Sequence, residues 1–387
     1  MPVVDVDCHF EVALQPDEHP LREWRDRLPE IDHYIADAIA GDLLRVTPAQ
    51  SRPDEQSLAM FLPDANRSAA EQSTNPGEYE PRFPSTTPEE RLAWLDKVGI
   101  DFALLNPGGY NFLTTYLGAD QPEAIRRCNT FMADRLAGHT DRLIQVSLID
   151  WNDLDQAVKE LERMRSRGSR AFWVRAEPFN GMSPAHPDWD RVWSAATDLG
   201  MVAILHIGNT PAQFSNGWGN AGWELPTSTG LGGFFRFANC VRHHAAEMML
   251  GAMVYGGVFG RHPNLTIITE ELGVGWVPNF ISRCEGLALA GPWPFDETPA
   301  EMVIRNLRVT PLLGFDPNVA DGLMQKYPEV FVFSSDYPHG EGHADPITVY
   351  EPALSSVDEP LRSWFLGANM AECFARMGDP LEVRAGE

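Results

Sequence analysis

The sequence predicts a (β/α)8 barrel that forms a single domain over residues 1–387, with long insertions at the carboxyl rim. From about residue 100 onward, short apolar segments alternate with helical patterns, and eight apolar segments can be counted along the chain. These segments show little polar–apolar alternation, which is typical of parallel strands covered on both faces. No Gly-x-Gly-x-x-Gly turn follows the first segment, so the competing doubly wound open sheet lacks its expected motif.

The predicted strands and helices follow each other in βα order. The strands are residues 3–7, 101–106, 142–148, 170–176, 201–207, 265–271, 307–313 and 330–336. Between them, residues 87–99 begin with Thr87 as N-cap, Pro88 at the first helical position and Glu90 completing a capping box. Helical patterns over 153–168 and 187–200 each end at a glycine.

A (β/α)8 barrel needs roughly 250 residues, so a chain of 387 residues carries long additional segments. One insertion covers about residues 12–85 and follows strand one, which predicts a position over the mouth of the barrel. A second insertion covers about residues 208–237 after strand five and is rich in glycine and aromatic residues. Long loops in compact domains are usually functional or disordered, and we expect the second one to cover the substrate as a lid.

The amino-acid composition limits the partners and the cellular compartment to be expected for the protein. The formal net charge of -25 argues against nucleic acid or an anionic membrane as a partner. Five widely spaced cysteines without a Cys-x-x-Cys motif favour reduced thiols over a disulfide framework. The chain shows no signal-peptide pattern and no apolar run long enough to span a bilayer. We therefore expect a cytoplasmic protein whose partner is a small molecule.

Four of the eight predicted strands end in histidine or carboxylate side chains. Catalytic residues of (β/α)8 barrels lie at these carboxyl ends, so the side chains are expected to converge. Asp7 and His9 are two apart on strand one and therefore point the same way. Taken singly, each residue has a structural interpretation, such as a core histidine or a turn-forming aspartate. Together, oxygen and imidazole ligands suit zinc, manganese or iron. The strand ends in question carry Asp7 and His9, His206, Glu270 and Glu271, and Asp336.

The chain resembles the amidohydrolase-related metal-dependent barrel enzymes, the group that includes aminocarboxymuconate-semialdehyde and resorcylate-type decarboxylases. The resemblance rests on the segments "DVDCHF", "WDRVWSAATDLGMVAILHIGN", "GVFGRHPNLTIITEELGVGWVPNFISRCE", "FVFSSDYPHGEG" and "LGANMAECFAR", in this order. It implies a divalent metal, with zinc as first choice and manganese or iron as alternatives, held by Asp7, His9, His206 and Asp336. Family members are often dimers, which implies a homodimer.

Two departures from the family pattern affect the expected chemistry. Asp7 stands where the wider superfamily more often has histidine, and Glu271 stands where characterised decarboxylases often have histidine. The strand-four end around Arg175 has no lysine, so a carboxylated-lysine bridge between two metals is not expected, and we predict a single ion.

Three functions stay open, with non-oxidative decarboxylation of a small aromatic or unsaturated carboxylic acid slightly favoured. The alternatives are metal-dependent hydrolysis of a C–N, C–O or C–C bond, and a catalytically inactive barrel that acts as a binding protein. A buried charge cluster without a metal would be costly, which speaks against the inactive barrel. The predicted catalytic residues are Asp336, Glu271 and His339. The predicted substrate-binding residues are Arg175, Trp218, Trp223 and Phe234, whose aromatic members would suit an unsaturated ligand.

Overall fold

The computed structural model describes residues 1–10, 20–27, 87–108, 110, 114, 117–207, 240–287, 290–312, 317–337 and 342–382. A parallel seven-stranded sheet, in the order β1 to β7, forms its centre. The strands are β1 (Val4–His9), β2 (Phe102–Asn106), β3 (Leu143–Ser147), β4 (Ala171–Trp173), β5 (Val202–His206), β6 (Ile267–Glu270) and β7 (Leu307–Val309). Every residue of these strands is buried, as the continuous apolar runs predict. The predicted parallel α/β class is confirmed.

Helices follow the strands in the alternation that the sequence predicts. They are α1 (Pro88–Val98), α2 (Gln121–Arg135), α3 (Leu154–Arg165), α4 (Asp190–Asp198), α5 (His243–Tyr255), α6 (Val258–Arg261), α7 (Val277–Leu287), α8 (Pro299–Asn306), α9 (Pro317–Lys326), α10 (Pro346–Leu354), α11 (Glu359–Ser363) and α12 (Asn369–Arg376). The capping box that predicts the start of α1 is present: Glu90 N donates to Thr87 Oγ1 and Thr87 N donates to a Glu90 carboxylate oxygen. None of the described helices is long and apolar enough to cross a membrane.

Residues 330–337, termed the eighth segment, connect the two outer strands of the sheet. On one side, Val309 N donates to Val330 O (2.8 Å) and Val332 N donates to Val309 O (3.1 Å). On the other side, Val6 N donates to Phe333 O (3.2 Å) and His9 N donates to Tyr337 O (2.7 Å). The curled sheet and this double pairing are consistent with a (β/α)8 barrel.

The eighth predicted strand therefore exists as isolated parallel bridges to β1 and β7 instead of a full sheet member. The predicted strand over 307–313 is shorter than expected and ends at Val309. Pro311 lacks the N–H that a further ladder bond would need. The insertions at 12–85 and 208–237 lie outside the described residues, apart from the residues at 20–27 that include a short 3-10 helix, Arg22–Arg27.

Asp5 connects β1 to the eighth segment through its side chain. One carboxylate oxygen accepts a hydrogen bond from Ser335 N at 2.9 Å, and the other accepts from Ser335 Oγ at 2.5 Å. The side chain is completely buried. Burial raises the pKa of Asp5 to about 7 in spite of these hydrogen bonds, because a buried carboxyl group disfavours its charged form.

This pKa predicts a pH dependence of stability that Asp5→Asn would remove. Between about pH 4 and pH 7 the folded state holds a proton that the unfolded state has lost, so the free energy of unfolding falls as pH rises through this window. The expected slope is about 1.4 kcal/mol per pH unit at most. Urea unfolding from pH 5 to pH 8 should show Asp5→Asn gaining stability relative to the wild type up to pH 7. The exposed Asp198→Asn serves as control, and parallel curves for wild type and Asp5→Asn would contradict the prediction.

Candidate metal centre

His9 lies at the middle of a buried polar cluster at the carboxyl end of β1. Asp7 and His9 point to the same side of the strand, and each is about 1% exposed. The His9 Nε2 atom lies 3.3 Å from Asp7 Oδ1 and 3.3 Å from His206 Nε2, the last residue of β5. The predicted convergence of strands one and five is therefore present.

Two further carboxylates reach the same histidine from β6 and the eighth segment. Glu271 Oε1 lies 3.5 Å from His9 Nε2 and 3.2 Å from His206 Nε2. Asp336 Oδ1 lies 3.3 Å from His9 Nε2. Ligating atoms of Asp7, His9, His206 and Glu271 all lie within 4.8 Å of one another. The structure thus adds Glu271, which the sequence assigned a catalytic role only, to the possible ligands.

Glu271 and Asp336 both have left-handed backbone conformations, with φ of 57° and 51°. Such conformations cost free energy in residues other than glycine and persist where the surrounding structure imposes them. Gly342 packs directly against the turn at Asp336, where a Cβ atom would lie 2.3 Å from Asp336 O. Both turns aim a carboxylate back toward β1 just after the strand has ended.

A second layer of side chains supports the cluster through hydrogen bonds and ring stacking. Asn106, the last residue of β2, donates through Nδ2 to Asp7 Oδ1 (2.9 Å) and to Glu270 Oε2 (3.0 Å). Its Oδ1 accepts from Trp173 Nε1 at the end of β4. Trp173 in turn stacks on His206, with ring centroids 5.2 Å apart. Sequence reasoning missed Asn106 and Trp173, although both stand at strand ends, because neither can be titrated.

Glu270 differs from its neighbour Glu271 in its electrostatic environment. It is completely buried, and burial, followed by the charge of Asp7, raises the pKa of Glu270 well above its usual value. Its Oε1 has no hydrogen-bond partner among the described residues. Burial therefore shifts Glu270 toward its neutral form, whereas Glu271 lies among the possible metal ligands.

Arg91 of α1 supports the same strand end from the other side. It is fully buried and donates to His9 O (2.6 Å) and to Cys8 Sγ (2.6 Å). Its guanidinium also lies 4.8 Å from the ring centroid of Tyr337 in the eighth segment. Cys8 is buried and is thus also a hydrogen-bond acceptor. Arg91 holds β1 and the eighth segment at a fixed separation.

The cluster fits a divalent cation. Three carboxylates and two imidazoles converge in a site where nearly all solvent is excluded, and carboxylates gathered without a cation would repel each other at high cost. Imidazole and carboxylate ligands suit zinc, manganese and iron. The residues available to hold an ion are Asp7, His9, His206, Glu271 and Asp336.

Of the other predicted site residues, only Arg175 lies within the described part of the chain. Arg175 forms an ion pair with Glu177, with Nε and Oε1 at 2.7 Å, so its guanidinium already has a carboxylate partner in the protein. His339, Trp218, Trp223 and Phe234 lie outside the described residues.

Substitution of the two adjacent glutamates should separate a possible metal ligand from a supporting residue. Glu271→Gln removes a carboxylate oxygen from the cluster, and we expect metal affinity to fall by at least about 100-fold. Glu270→Gln replaces a carboxyl group whose neutral form burial favours by a neutral amide that can still accept from Asn106, and we expect a change of less than about tenfold. Competition with a fluorescent chelator measures both affinities. Equal losses in the two variants would contradict the distinction drawn here.

Comparison with known proteins finds both sequence relatives and structural neighbours of this chain. It is 24% identical over 264 residues to a gamma-resorcylate decarboxylase of Rhizobium radiobacter, which covers 65% of this chain and 76% of that protein. An amidohydrolase of Mycobacterium avium subsp. paratuberculosis superposes with a TM-score of 0.70 at 20% identity, over 96% of this chain and 99% of that one. A manganese-bound 5-carboxyvanillate decarboxylase of Novosphingobium aromaticivorans superposes with a TM-score of 0.60 at 18% identity, over 97% and 96% of the two chains. These superpositions show a shared fold. The amidohydrolase family model matches residues 4–375, and the chain therefore belongs to the amidohydrolase family.

Proposed function

We propose that this protein is a metal-dependent decarboxylase of a small aromatic carboxylic acid. The observation that carries the proposal is the buried convergence of Asp7, His9, His206, Glu271 and Asp336 at one edge of the sheet. Relatives and structural neighbours named for decarboxylation of resorcylate and carboxyvanillate support the choice of reaction.

We assign the ion to Asp7, His9, His206 and Asp336, with Glu271 as a fifth possible ligand. A bound divalent ion would act as a Lewis acid toward carboxylate and phenolic oxygens of the substrate. A single ion is proposed because the end of β4 offers Arg175 and no lysine. Zinc is the first choice from the sequence, and manganese, which a structural neighbour binds, suits the carboxylate-rich set equally well.

The protein's own residues would provide proton transfer. We propose that Asp336 donates a proton to the ring carbon that carries the carboxylate. The C–C bond then breaks, its electron pair stays with the ring, and CO2 leaves. Asp336 is left as a carboxylate and regains its proton from solvent. Glu271 is the second choice for this role because it reaches the same histidines.

Hydrolysis of a C–N, C–O or C–C bond is the second candidate function. Glu271 supports it, since a carboxylate stands where characterised decarboxylases often have a histidine, and a carboxylate can serve as general base toward water. An inactive binding protein is disfavoured because the buried carboxylates would lack a counter-charge.

Several features stay predictions of this proposal. The chain is expected to form one barrel domain, the insertions at about 12–85 and 208–237 to cover the carboxyl rim, and the enzyme to be a cytoplasmic homodimer. His339 and the aromatic residues Trp218, Trp223 and Phe234 are expected to contact the substrate. Arg175 stays a substrate-binding candidate, although its pairing with Glu177 favours a structural role.

Incubation of the metal-loaded protein with a panel of acids and esters tests the reaction type. The panel contains gamma-resorcylate, 5-carboxyvanillate, simple lactones and amides. We expect CO2 release from at least one aromatic acid, with Asp336→Asn lowering the rate at least about 100-fold because the proton carrier is lost. Removal of metal by a chelator should abolish the activity, and the readdition of zinc or manganese should restore it.

Acid production from lactones or amides without CO2 release would favour the hydrolase. An activity that survives both metal removal and Asp336→Asn would contradict each of the two metal-dependent functions.

A further inference from the structure

Asn106, Trp173 and Glu270, termed the even-strand layer, form one set of buried side chains at the candidate metal centre. Each is the last residue of its strand, and their strands β2, β4 and β6 alternate with β1 and β5, which carry possible metal ligands. All three side chains are almost fully buried. In (β/α)8 barrels, alternate strands supply the side chains of one interior layer. The ligands of the odd-numbered strands are therefore supported by a layer from the even-numbered ones.

The hydrogen bonds of Asn106 determine which way its amide group faces. The indole Nε1–H of Trp173 can only donate, so it must meet the amide oxygen of Asn106. The Nδ2 group is then directed at Asp7 Oδ1 (2.9 Å) and at Glu270 Oε2 (3.0 Å). A rotated amide would bring two donors together at Trp173 and two acceptors together at Asp7. The indole N–H therefore sets the orientation in which Asn106 donates to Asp7.

Trp173 also contacts the histidine of β5 with the face of its ring. The rings of Trp173 and His206 stack with centroids 5.2 Å apart at an interplanar angle of 28°. The Nε2 atom of His206 lies 3.3 Å from His9 Nε2 in the cluster. One side chain of β4 thus contacts His206 directly and reaches Asp7 through Asn106. It connects possible ligands from two strands, β1 and β5, that are not neighbours in the sheet.

We propose that Trp173 is a positioning residue of the metal centre. Its N–H directs the donor group of Asn106 at Asp7, and its ring limits the rotation of His206. Partners that hold metal ligands in place typically contribute about 10- to 100-fold to metal affinity. The inference rests on the proposed function in so far as that function assigns Asp7 and His206 to a divalent ion. It concerns the affinity for the ion and gives Trp173 no contact with the reacting atoms.

Trp173→Phe tests the role of the indole N–H. Phenylalanine keeps a ring that can stack on His206 but removes the donor that orients Asn106, so we expect affinity for Zn²⁺ and for Mn²⁺ to fall by roughly tenfold to hundredfold. Trp193→Phe is the matched control, because Trp193 is also buried and donates through Nε1 to Pro184 O at 2.8 Å. It should keep the metal affinity of the wild type. Competition with a fluorescent chelator measures the affinities, and thermal unfolding of the metal-free proteins shows whether the two variants lose similar stability.

A double-mutant cycle shows whether Trp173 acts through Asn106. Once Asn106→Ala has been introduced, Trp173→Phe should cost little further metal affinity, whereas independent packing effects would add. The visible absorption of the Co²⁺-loaded protein gives a spectroscopic readout, because it follows the geometry of the ligands. We expect this spectrum to change in Trp173→Phe and to stay that of the wild type in Trp193→Phe. The two tryptophan variants decide the outcome by themselves where Asn106→Ala does not fold.

The outcomes separate this inference from the proposed function. Decarboxylation by the wild type, together with undiminished metal affinity of Trp173→Phe, would overturn the inference and leave the function standing. Metal affinity that depends on Trp173 through Asn106, without CO2 release from any acid of the panel, would support the inference and overturn the proposed reaction. Equal losses of affinity in Trp173→Phe and Trp193→Phe, additive losses in the double variant, an unchanged Co²⁺ spectrum in Trp173→Phe, or no ion bound by the wild type would each overturn the inference.

Discussion

The hydrogen bond from Asp336 N to Asp7 O, 2.8 Å long, joins the first strand to the eighth segment at the edge where the site lies. It belongs to a set of backbone contacts that place the eighth segment between β7 and β1. Without this pairing, the carboxylates of Asp7 and Asp336 would have no fixed relation to each other. Asp5 and Arg91 secure the same junction through side chains, one through Ser335 and the other through His9 O and Tyr337. The relative positions of Asp7, His9 and Asp336 therefore depend on how the first and last parts of the barrel meet.

The cluster also shows how several acidic side chains can lie close together in a site that excludes solvent. Of the two adjacent glutamates, Glu270 is shifted toward its neutral form by burial, which would limit the negative charge that an ion has to balance. Asn106 contacts Asp7 and Glu270 with one amide group, so both carboxyl groups gain a hydrogen bond without another charge. Sites of acid–base chemistry commonly combine neighbouring groups whose environments shift their pKa values apart.

The order of strands and helices could be predicted well from the sequence, because each buried strand is a short apolar run and α1 has a complete capping box. The convergence of His9 and His206 could also be predicted, since both stand at strand ends. Glu271 was expected at the same rim, but its place among the possible metal ligands could not be predicted, because its orientation depends on a left-handed backbone conformation that no local sequence pattern indicates. Asn106 and Trp173 were missed because their roles arise from the register between strands, which composition does not encode.

The division of the site between β1 and the eighth segment has a consequence for biosynthesis. During translation, Asp7 and His9 leave the ribosome long before Asp336. The complete set of proposed ligands therefore cannot assemble until the eighth segment has been synthesised and has paired with β1 and β7. An ion bound before that point would be held by a partial and weaker set, so full metal affinity would report closure of the barrel.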